Sequence, residues 1–510
     1  MRALKRMMYF LTSRLFLTSL LILLQIFAFL FPFLFLGVKS IYIHTAISFL
    51  STILAIAIAN DERHAPFHLT WILLLLTVPI MGWPLYILLR HNQQASRACK
   101  RCEQVNAQLD AISIGGNKPE SLPVCKKHPF CREMTFLANA SNAPVYTNTT
   151  AQYFANGEVF FPVYLEKLRA AKRFIFMEYF IISDGTLWQS VREILLEKLK
   201  QGVEIRILYD DIATISKLPS GFCKELRSHG VQIYPFNPYR AAVNSFMNYR
   251  DHRKITVIDG QYAFTGGINL ADEYINAIER FGHWKDCAVL LEGEAAQSLT
   301  HTFLKSWGFA VKAESDPQTY LSSPSVPCTE LVQPFADSPA DDLRVGRCTY
   351  MNLIQGARRY LWITTPYLIP DEAVIDSLCL AAGSGIDVRI ITPHIPDKWY
   401  VHAVTRSNYL PLIRAGVRVY EYTPGFIHAK LILTDDEACM VATTNLDYRS
   451  FFSLFENGTM LYGKTPITQV RNDFMDTLTK CQRVTLEECK QVPWPRKLLR
   501  AVLRVFSPFL

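Results

Sequence analysis

Charge is scarce in this 510-residue sequence: Asp, Glu, Lys and Arg together make up 19% of it, against 50% apolar residues. That balance excludes the highly charged, apolar-poor composition of a disordered chain. A basic stripe with interleaved aromatics is missing too. The net charge of +8 is modest for the length and gathers partly at the two ends, so nucleic acid is not an expected partner. Nor is there a dense cysteine framework. Twelve scattered cysteines exclude a disulfide scaffold and suit free thiols in a reducing compartment. One group stands apart: Cys99, Cys102, Cys125 and Cys131, with His128 among them, offer donors for a tetrahedral zinc site at irregular spacing. The plainer reading of the same residues is unpaired thiols in a linker.

Charge is absent altogether between Leu15 and Val38, a run long enough to cross a hydrocarbon core of about 30 Å at about 1.5 Å per residue. Ile41 to Ala59 and Phe67 to Leu89 are two further apolar stretches, set off by Lys39 and the polar loop Asn60 to Pro66. Residues 1–90 are therefore expected to be a membrane-anchoring region with two to three hydrophobic helices. Arg2, Lys5, Arg6 and Arg14 resemble the basic start of a signal peptide, but the apolar run that follows is too long for one. Cations also follow the third stretch, at Arg90, Arg97, Lys100 and Arg101, so both flanks favour the cytoplasmic side. An odd number of full spans cannot satisfy that, and one segment is expected to lie in the interface or re-enter. The region that follows residue 90 is placed in the cytoplasm.

Residues 91–144 are polar and carry little periodicity, and read as a cysteine-containing linker. Beyond them, short β-branched and aromatic runs alternate with helical patterns, the mark of an α/β fold. Phe174 to Ile182 reads as a strand, Leu187 to Gln201 as a helix and Val203 to Tyr209 as a strand. The same order then recurs. Ala171-Lys-Arg-Phe-Ile-Phe corresponds to Ala357-Arg-Arg-Tyr-Leu-Trp, Gly202-Val-Glu-Ile-Arg-Ile-Leu to Gly385-Ile-Asp-Val-Arg-Ile-Ile, and Gly230-Val-Gln-Ile-Tyr to Gly416-Val-Arg-Val-Tyr. The expected fold is thus two homologous α/β halves, 145–311 and 343–480, packed about a pseudo-twofold axis and preceded by N-terminal transmembrane helices. A Pro-, Ser- and Asp-rich linker, 312–342, joins them and keeps one short strand at Glu330 to Gln333. Residues 481–510 form a basic amphipathic C-terminal segment: from Trp494 on, Arg496, Lys497, Arg500 and Arg504 alternate with Leu498, Leu499, Val502, Leu503, Val505 and Phe506. Such a helix suits an anionic membrane interface.

The chemistry lies in a duplicated motif. The first half reads Asp251-His252-Arg253-Lys254, then Asp259-Gly260; the second reads Ile427-His428-Ala429-Lys430, then Asp435-Asp436. Asn269 and Asn445 follow their aspartates at equal distance, so all four positions recur at one interval. A single His-x-Lys carries little information; the paired one is specific. Each motif opens a β-like run, where residues i and i+2 share a face, so each histidine points with its lysine. Two halves then surround one phosphate with two imidazoles, two ammonium groups and two carboxamides. One neutral imidazole attacks phosphorus and a protonated one supplies the leaving oxygen's proton. Lys254, Lys430, Asn269 and Asn445 hold the non-bridging oxygens. No metal or other cofactor is expected, since lysine neither coordinates nor tolerates a neighbouring cation. Asp259 and Asp435 stand at turns and are read as supporting the site rather than touching phosphate.

With these residues in view, residues 145–480 resemble the phospholipase D superfamily, and the surroundings are similar to bacterial cardiolipin synthases. The likeness rests on Phe264-Thr-Gly-Gly-Ile-Asn269-Leu with Asp272-Glu-Tyr, Trp284-Lys-Asp286, Thr365-Pro-Tyr-Leu-Ile-Pro-Asp371, Gly425-Phe-Ile-His-Ala-Lys430 and Thr444-Asn-Leu-Asp-Tyr-Arg-Ser450. Paired apolar segments ahead of the catalytic region, here Ile41 to Leu89, belong to the same likeness. The resemblance implies that His252 becomes phosphatidylated while His428 acts as acid and then as base, and that Asp286 and Glu456 orient the imidazoles. It adds Gly267 and Thr443 to the phosphate-binding set, although Ala442-Thr443 stands where the family has Gly followed by Thr or Ser, and Gly266-Gly267 replaces Gly-Ser. The implied reaction joins two phosphatidylglycerol molecules into cardiolipin and glycerol in a bacterial plasma membrane rich in anionic lipids. A hydrolase or a transferase to another alcohol would use the same residues.

Overall fold

The structure is a computed structural model that describes residues 39–61, 65–79, 82–83, 86, 93–112, 114–238, 248–311, 316–321 and 324–509. Contacts divide the chain into two compact units, one holding the described residues up to 98 and the other those from 99 onward.

In the first unit α1 (Lys39–Ala59) packs on α2 (Ala65–Thr77). Ile58, Leu75 and Tyr86 are buried together, with Leu54, Trp71, Ile72 and Trp83 against them. Outward-facing Tyr42, Phe49, Leu50, Ile53, Ile56, Leu69 and Leu76 are exposed. Among the described residues no helix is long and apolar enough to cross a membrane. The transmembrane helices expected there are therefore not seen: α2 stops at Thr77, ahead of Pro79, and at 13 residues reaches only about 20 Å. The first expected stretch, Leu15 to Val38, lies outside the described residues.

The second unit opens with helices where a linker was expected. Its first is the part of α3 (Gln93–Asp110) from Cys99 on, where Arg101 donates to the Gly308 carbonyl at 2.7 Å. Further on, α4 (Cys131–Ala140) buries Met134 and Leu137. The apolar stripe of α3 within this unit is only Cys102, Val105 and Leu109, too thin for its period to be legible in the sequence. Cys102 packs with Phe236 and Phe455, and Cys125 lies in a separate core with Phe130 and Met134. The candidate zinc donors are thus not gathered: among the described residues no three His, Cys, Asp or Glu could hold a metal ion.

The first half carries β1 (Thr149–Phe154), β2 (Phe174–Tyr179), β3 (Glu204–Asp210), β4 (Gln232–Phe236), β5 (Arg250–Asp251), β6 (Lys254–Ile258), β7 (Tyr262–Gly266), β8 (His283–Lys285) and β9 (Ala288–Gly293). The second carries β10 (Val332–Asp337), β11 (Tyr360–Thr364), β12 (Leu368–Ile369), β13 (Asp387–Pro393), β14 (Arg418–Tyr422), β15 (Gly425–Ile427), β16 (Leu431–Thr434), β17 (Ala438–Ala442), β18 (Leu446–Asp447), β19 (Leu454–Leu461) and β20 (Cys481–Arg483). The first sheet runs β1-β9-β7-β6-β2-β3-β4 and the second β10-β19-β17-β16-β11-β13-β14-β20. Strand for strand the order is the same, with β20 added at one edge. The short strand expected at Glu330 to Gln333 is β10, which begins at Val332 and opens the second sheet rather than standing in a linker.

Period-two alternation sorts each strand between layers. Ile175 and Met177 join the outer core of the first half, while Phe174 and Phe176 join a cluster that also holds Trp362, Leu431 and Leu433 of the second. Ile432 and Met440 face the second half's own outer core. The halves therefore share one continuous core, and the motif strands β6 and β16 lie at the centre of their sheets.

Candidate active site

Two short strands leave their own half to pair with the other. Parallel to the start of β19, β5 sets Arg250 opposite Leu454 and Asp251 opposite Phe455; parallel to β8, β15 sets Phe426 opposite Trp284 and Ile427 opposite Lys285. The next residue on each is the motif histidine, and its amide continues the exchange. His252 N–H donates to the Phe455 carbonyl at 2.9 Å and His428 N–H to the Lys285 carbonyl at 2.6 Å. The residue after each acceptor is an acid. His252 Nδ1 lies 3.0 and 2.9 Å from the two carboxylate oxygens of Glu456, and His428 Nδ1 lies 2.6 Å from Asp286 Oδ2. Each acid thus serves the histidine of the opposite half. A carboxylate at Nδ1 fixes that nitrogen as the N–H and leaves Nε2 as the free base.

All of these groups are buried. Lys254 Nζ donates to the His252 carbonyl and lies 5.3 Å from the Phe180 ring centre; Lys430 Nζ donates to the His428 carbonyl at 2.5 Å. Burial, then the charges of Lys254, Lys430 and Arg449, hold the His252 imidazole well below its ordinary pKa. Burial and then Lys430 bring His428 down to about 4, against the opposing pull of Asp286. Burial also lowers Lys254 to about 7 and Lys430 to about 8. For Asp286 burial acts upward but His428 and Lys430 outweigh it, so its carboxyl stays below the usual range. For Glu456 burial prevails over Lys254 and the carboxyl is raised. Burial is the first cause of each lowered imidazole and ammonium, and a phosphodiester anion placed beside them would favour their charged forms.

Proton uptake on anion binding follows. Groups held below their ordinary pKa are partly deprotonated above pH about 7, and a bound anion raises them, so binding draws protons from solution. Calorimetric titration with inorganic sulfate, which carries no titrating proton in this range, is expected at pH about 7.5 to give a heat that varies with the buffer's ionisation enthalpy. A buffer-independent heat at pH about 7.5 would contradict it.

The remaining motif residues divide by role. Asn269 is anchored at both ends, its Oδ1 accepting from Ile181 N–H at 3.0 Å and its Nδ2 giving one of its two hydrogens to the Tyr274 hydroxyl at 2.7 Å. Asn445 Oδ1 is buried with no hydrogen-bond partner. Thr443 Oγ1 donates to Glu456 Oε2 at 2.5 Å, so its hydroxyl holds the acid, not a phosphate. A Cβ at Gly267 would come within 1.9 Å of Asp286 Oδ1; the missing side chain is what lets that acid approach. Asp259 and Asp435 end β6 and β16, at the far end from the lysines. Asp259 accepts from the amides of Lys172, Arg173 and Phe174 at 2.7–2.9 Å, and Asp435 from those of Arg358, Arg359 and Tyr360 at 2.7–2.8 Å. These carboxylates tie strand ends together, and none of their hydrogen bonds reaches a motif histidine or lysine. Asp259→Ala is accordingly expected to lose about 2–4 kcal/mol in denaturant unfolding while the folded enzyme keeps kcat within about twofold.

Several contributors escaped the sequence reading. Phe180 stands edge-on to His252 with ring centres 4.8 Å apart, and Tyr274, Trp284 and Phe426 ring His428 at 5.5, 5.4 and 5.8 Å. Arg253, between His252 and Lys254, points to the other face and donates to the Glu456 and Asp337 carbonyls, each at 3.1 Å, and to Ser306 Oγ at 2.8 Å.

A duplicated sheet with crosswise His–carboxylate pairs and two buried lysines defines a two-half enzyme of the phospholipase D type. The family profile described as "Cardiolipin synthase, PLD-like domain" matches residues 164–307 and 350–478, and the chain belongs to that family. It is 39% identical over 455 residues to an uncharacterised protein of Streptococcus mutans, across 89% of this chain and 98% of that one. It is 34% identical over 462 residues to a cardiolipin synthase of Halalkalibacterium halodurans, across 90% and 92%. A second, from Alkalihalophilus pseudofirmus, is 33% identical over 463 residues, across 90% and 92%. The fold is shared with the crystal structure of phosphatidylserine synthase from Haemophilus influenzae, at TM-score 0.58 and 16% identity, covering 75% of this chain and 100% of that one.

Proposed function

We propose that the chain is a membrane-held cardiolipin synthase working through a phosphohistidine. His252 Nε2 attacks the phosphorus of one phosphatidylglycerol, and the glycerol oxygen departs with a proton from His428, leaving a phosphatidyl group on His252. His428 then takes the proton from a free hydroxyl of a second phosphatidylglycerol, whose oxygen displaces His252 and yields cardiolipin. The observation that carries this reading is the pair of histidines held crosswise by Glu456 and Asp286. The order of roles follows the family resemblance; the two carboxyls differ in direction, Asp286 held below its usual range by His428 and Lys430 against burial, and Glu456 raised by burial. Lys254, Lys430, Asn269 and Asn445 steady the equatorial oxygens of the transition state. The reading needs no metal or other cofactor.

The apolar residues that α1 and α2 turn outward support membrane attachment in a bacterial plasma membrane, because water does not stabilise so large an apolar surface. Twelve free thiols support a cytoplasmic catalytic unit. Attachment also raises the acceptor lipid's effective concentration over competing water. The test is product analysis: purified protein in phosphatidylglycerol vesicles without divalent metal is expected to give cardiolipin and glycerol in equal amounts. Phosphatidic acid alone would identify a hydrolase, and no product would overturn the lipid reading of phosphatidylglycerol.

A further inference from the structure

The C-terminal helix turns the wrong side outward for a helix of a globular domain. Following α5 (Trp399–Ser407) and α6 (Tyr448–Phe452), it is α7, Trp494–Val505. At 100° per residue, Trp494, Leu498, Val502, Val505 and Leu499 fall on one arc, and Arg496, Arg500, Arg504 and Lys497 on the opposite one. An amphipathic helix on a soluble domain buries its apolar arc. Here no residue of α7 is buried, and the apolar arc stands as open as the basic one: Trp494 is 75% exposed, Leu498 57% and Val502 50%, while Arg496, Lys497 and Arg504 are exposed too. Contact with the body runs along one edge, where Leu503 reaches a cluster of Ile369, Val401 and Val404 on and beside α5. Trp399 at the start of α5 is itself 64% exposed. Immediately after α7, Ser507 and Pro508 are buried and their turn packs on α6.

That attachment places the helix one element from the reaction. The N-cap of α6 is Asp447, Ser450 of α6 accepts from the Asn445 amide, and the charge of Arg449 is felt by His252. Four cations beside a wide apolar arc match an anionic lipid surface, in which the arc enters the acyl boundary and the cations meet headgroups. A second copy of this chain would bring the same four cations and repel.

We infer that α7 is a membrane-docking surface of the catalytic unit, seated in anionic lipid so that substrate is taken from the headgroup layer beside α6. The inference rests on the lipid reading of the site for its substrate, and deepens it. The test uses the full chain with a benzophenone amino acid at Leu498 or at Arg496, in vesicles with and without phosphatidylglycerol. Irradiation is expected to give lipid adducts at 498 at about ten times the yield at 496, and only with the anionic lipid. Adducts to a second copy, or none to lipid, overturn docking whatever the activity assay shows. In parallel, L498E/V502E is expected to lower turnover of vesicle phosphatidylglycerol about tenfold and leave that of a short-chain, water-soluble form unchanged. Unchanged turnover on vesicles, or equal loss on both, overturns the docking role. A wild-type chain that converts neither form would fail the function reading instead, and the adducts would still decide the docking.

Discussion

Replacing His252 by alanine is expected to abolish the reaction, with kcat falling about 10⁴-fold or more, because the proposed mechanism makes His252 Nε2 the atom that bonds to phosphorus. His428→Ala is expected to fail differently. Its proton is needed because glycerol is a poor leaving group, a service worth about 10²–10⁴-fold. A phosphatidyl ester of p-nitrophenol departs without a proton, so His428→Ala should release one equivalent of nitrophenolate in a burst and then stall, since no base remains to activate the acceptor. Phosphorus NMR of the stalled protein should show a phosphohistidine. His252→Ala should give no burst with the same ester. The opposite pattern would exchange the two roles, and a burst from neither would remove the covalent step. The assignment of roles is a proposal taken from family likeness, and the burst decides it.

The duplicated motif told more about this site than any other feature of the sequence. His252, Lys254, His428 and Lys430 could be placed together because spacing along a strand is a local property, and repetition makes chance agreement rare. Asp286 and Glu456 were named through likeness, but not which histidine each serves. That depends on β5 and β15 crossing to the other half, a long-range pairing that a two- or three-residue strand does not announce. Thr443 was expected on phosphate and is found on Glu456, since a hydroxyl's partner depends on which carboxylate the fold brings near. Asp259 and Asp435 were grouped with the catalytic residues and read, from their turn context, as supporting the site; each accepts from three backbone amides at a strand end. The helix α3 was missed because its side towards the body rests on three modest apolar residues, while polar contacts such as Arg101 to Gly308 carry the rest.

The crosswise pairing has a consequence that distinguishes the two acids. Glu456→Gln is expected to lower kcat about 10²–10³-fold by acting on His252, although Glu456 belongs to the other half. A glutamine amide at Nδ1 can donate as well as accept, which permits the tautomer whose Nε2 carries the hydrogen and cannot attack. The change also removes the charge that most favours the ammonium form of Lys254, whose pKa should fall further below about 7. Asp286→Asn should act on His428. With the nitrophenyl ester, Glu456→Gln is therefore expected to lose the burst while Asp286→Asn keeps it and slows only the steps after it, giving two variants of similar overall turnover with opposite burst behaviour. Were each acid to serve the histidine of its own half, the two outcomes would exchange. Thr443→Ala supplies an intermediate case, since it frees Glu456 Oε2 from a 2.5 Å hydrogen bond without removing the carboxylate, and should weaken the burst rate about tenfold while leaving its amplitude at one equivalent.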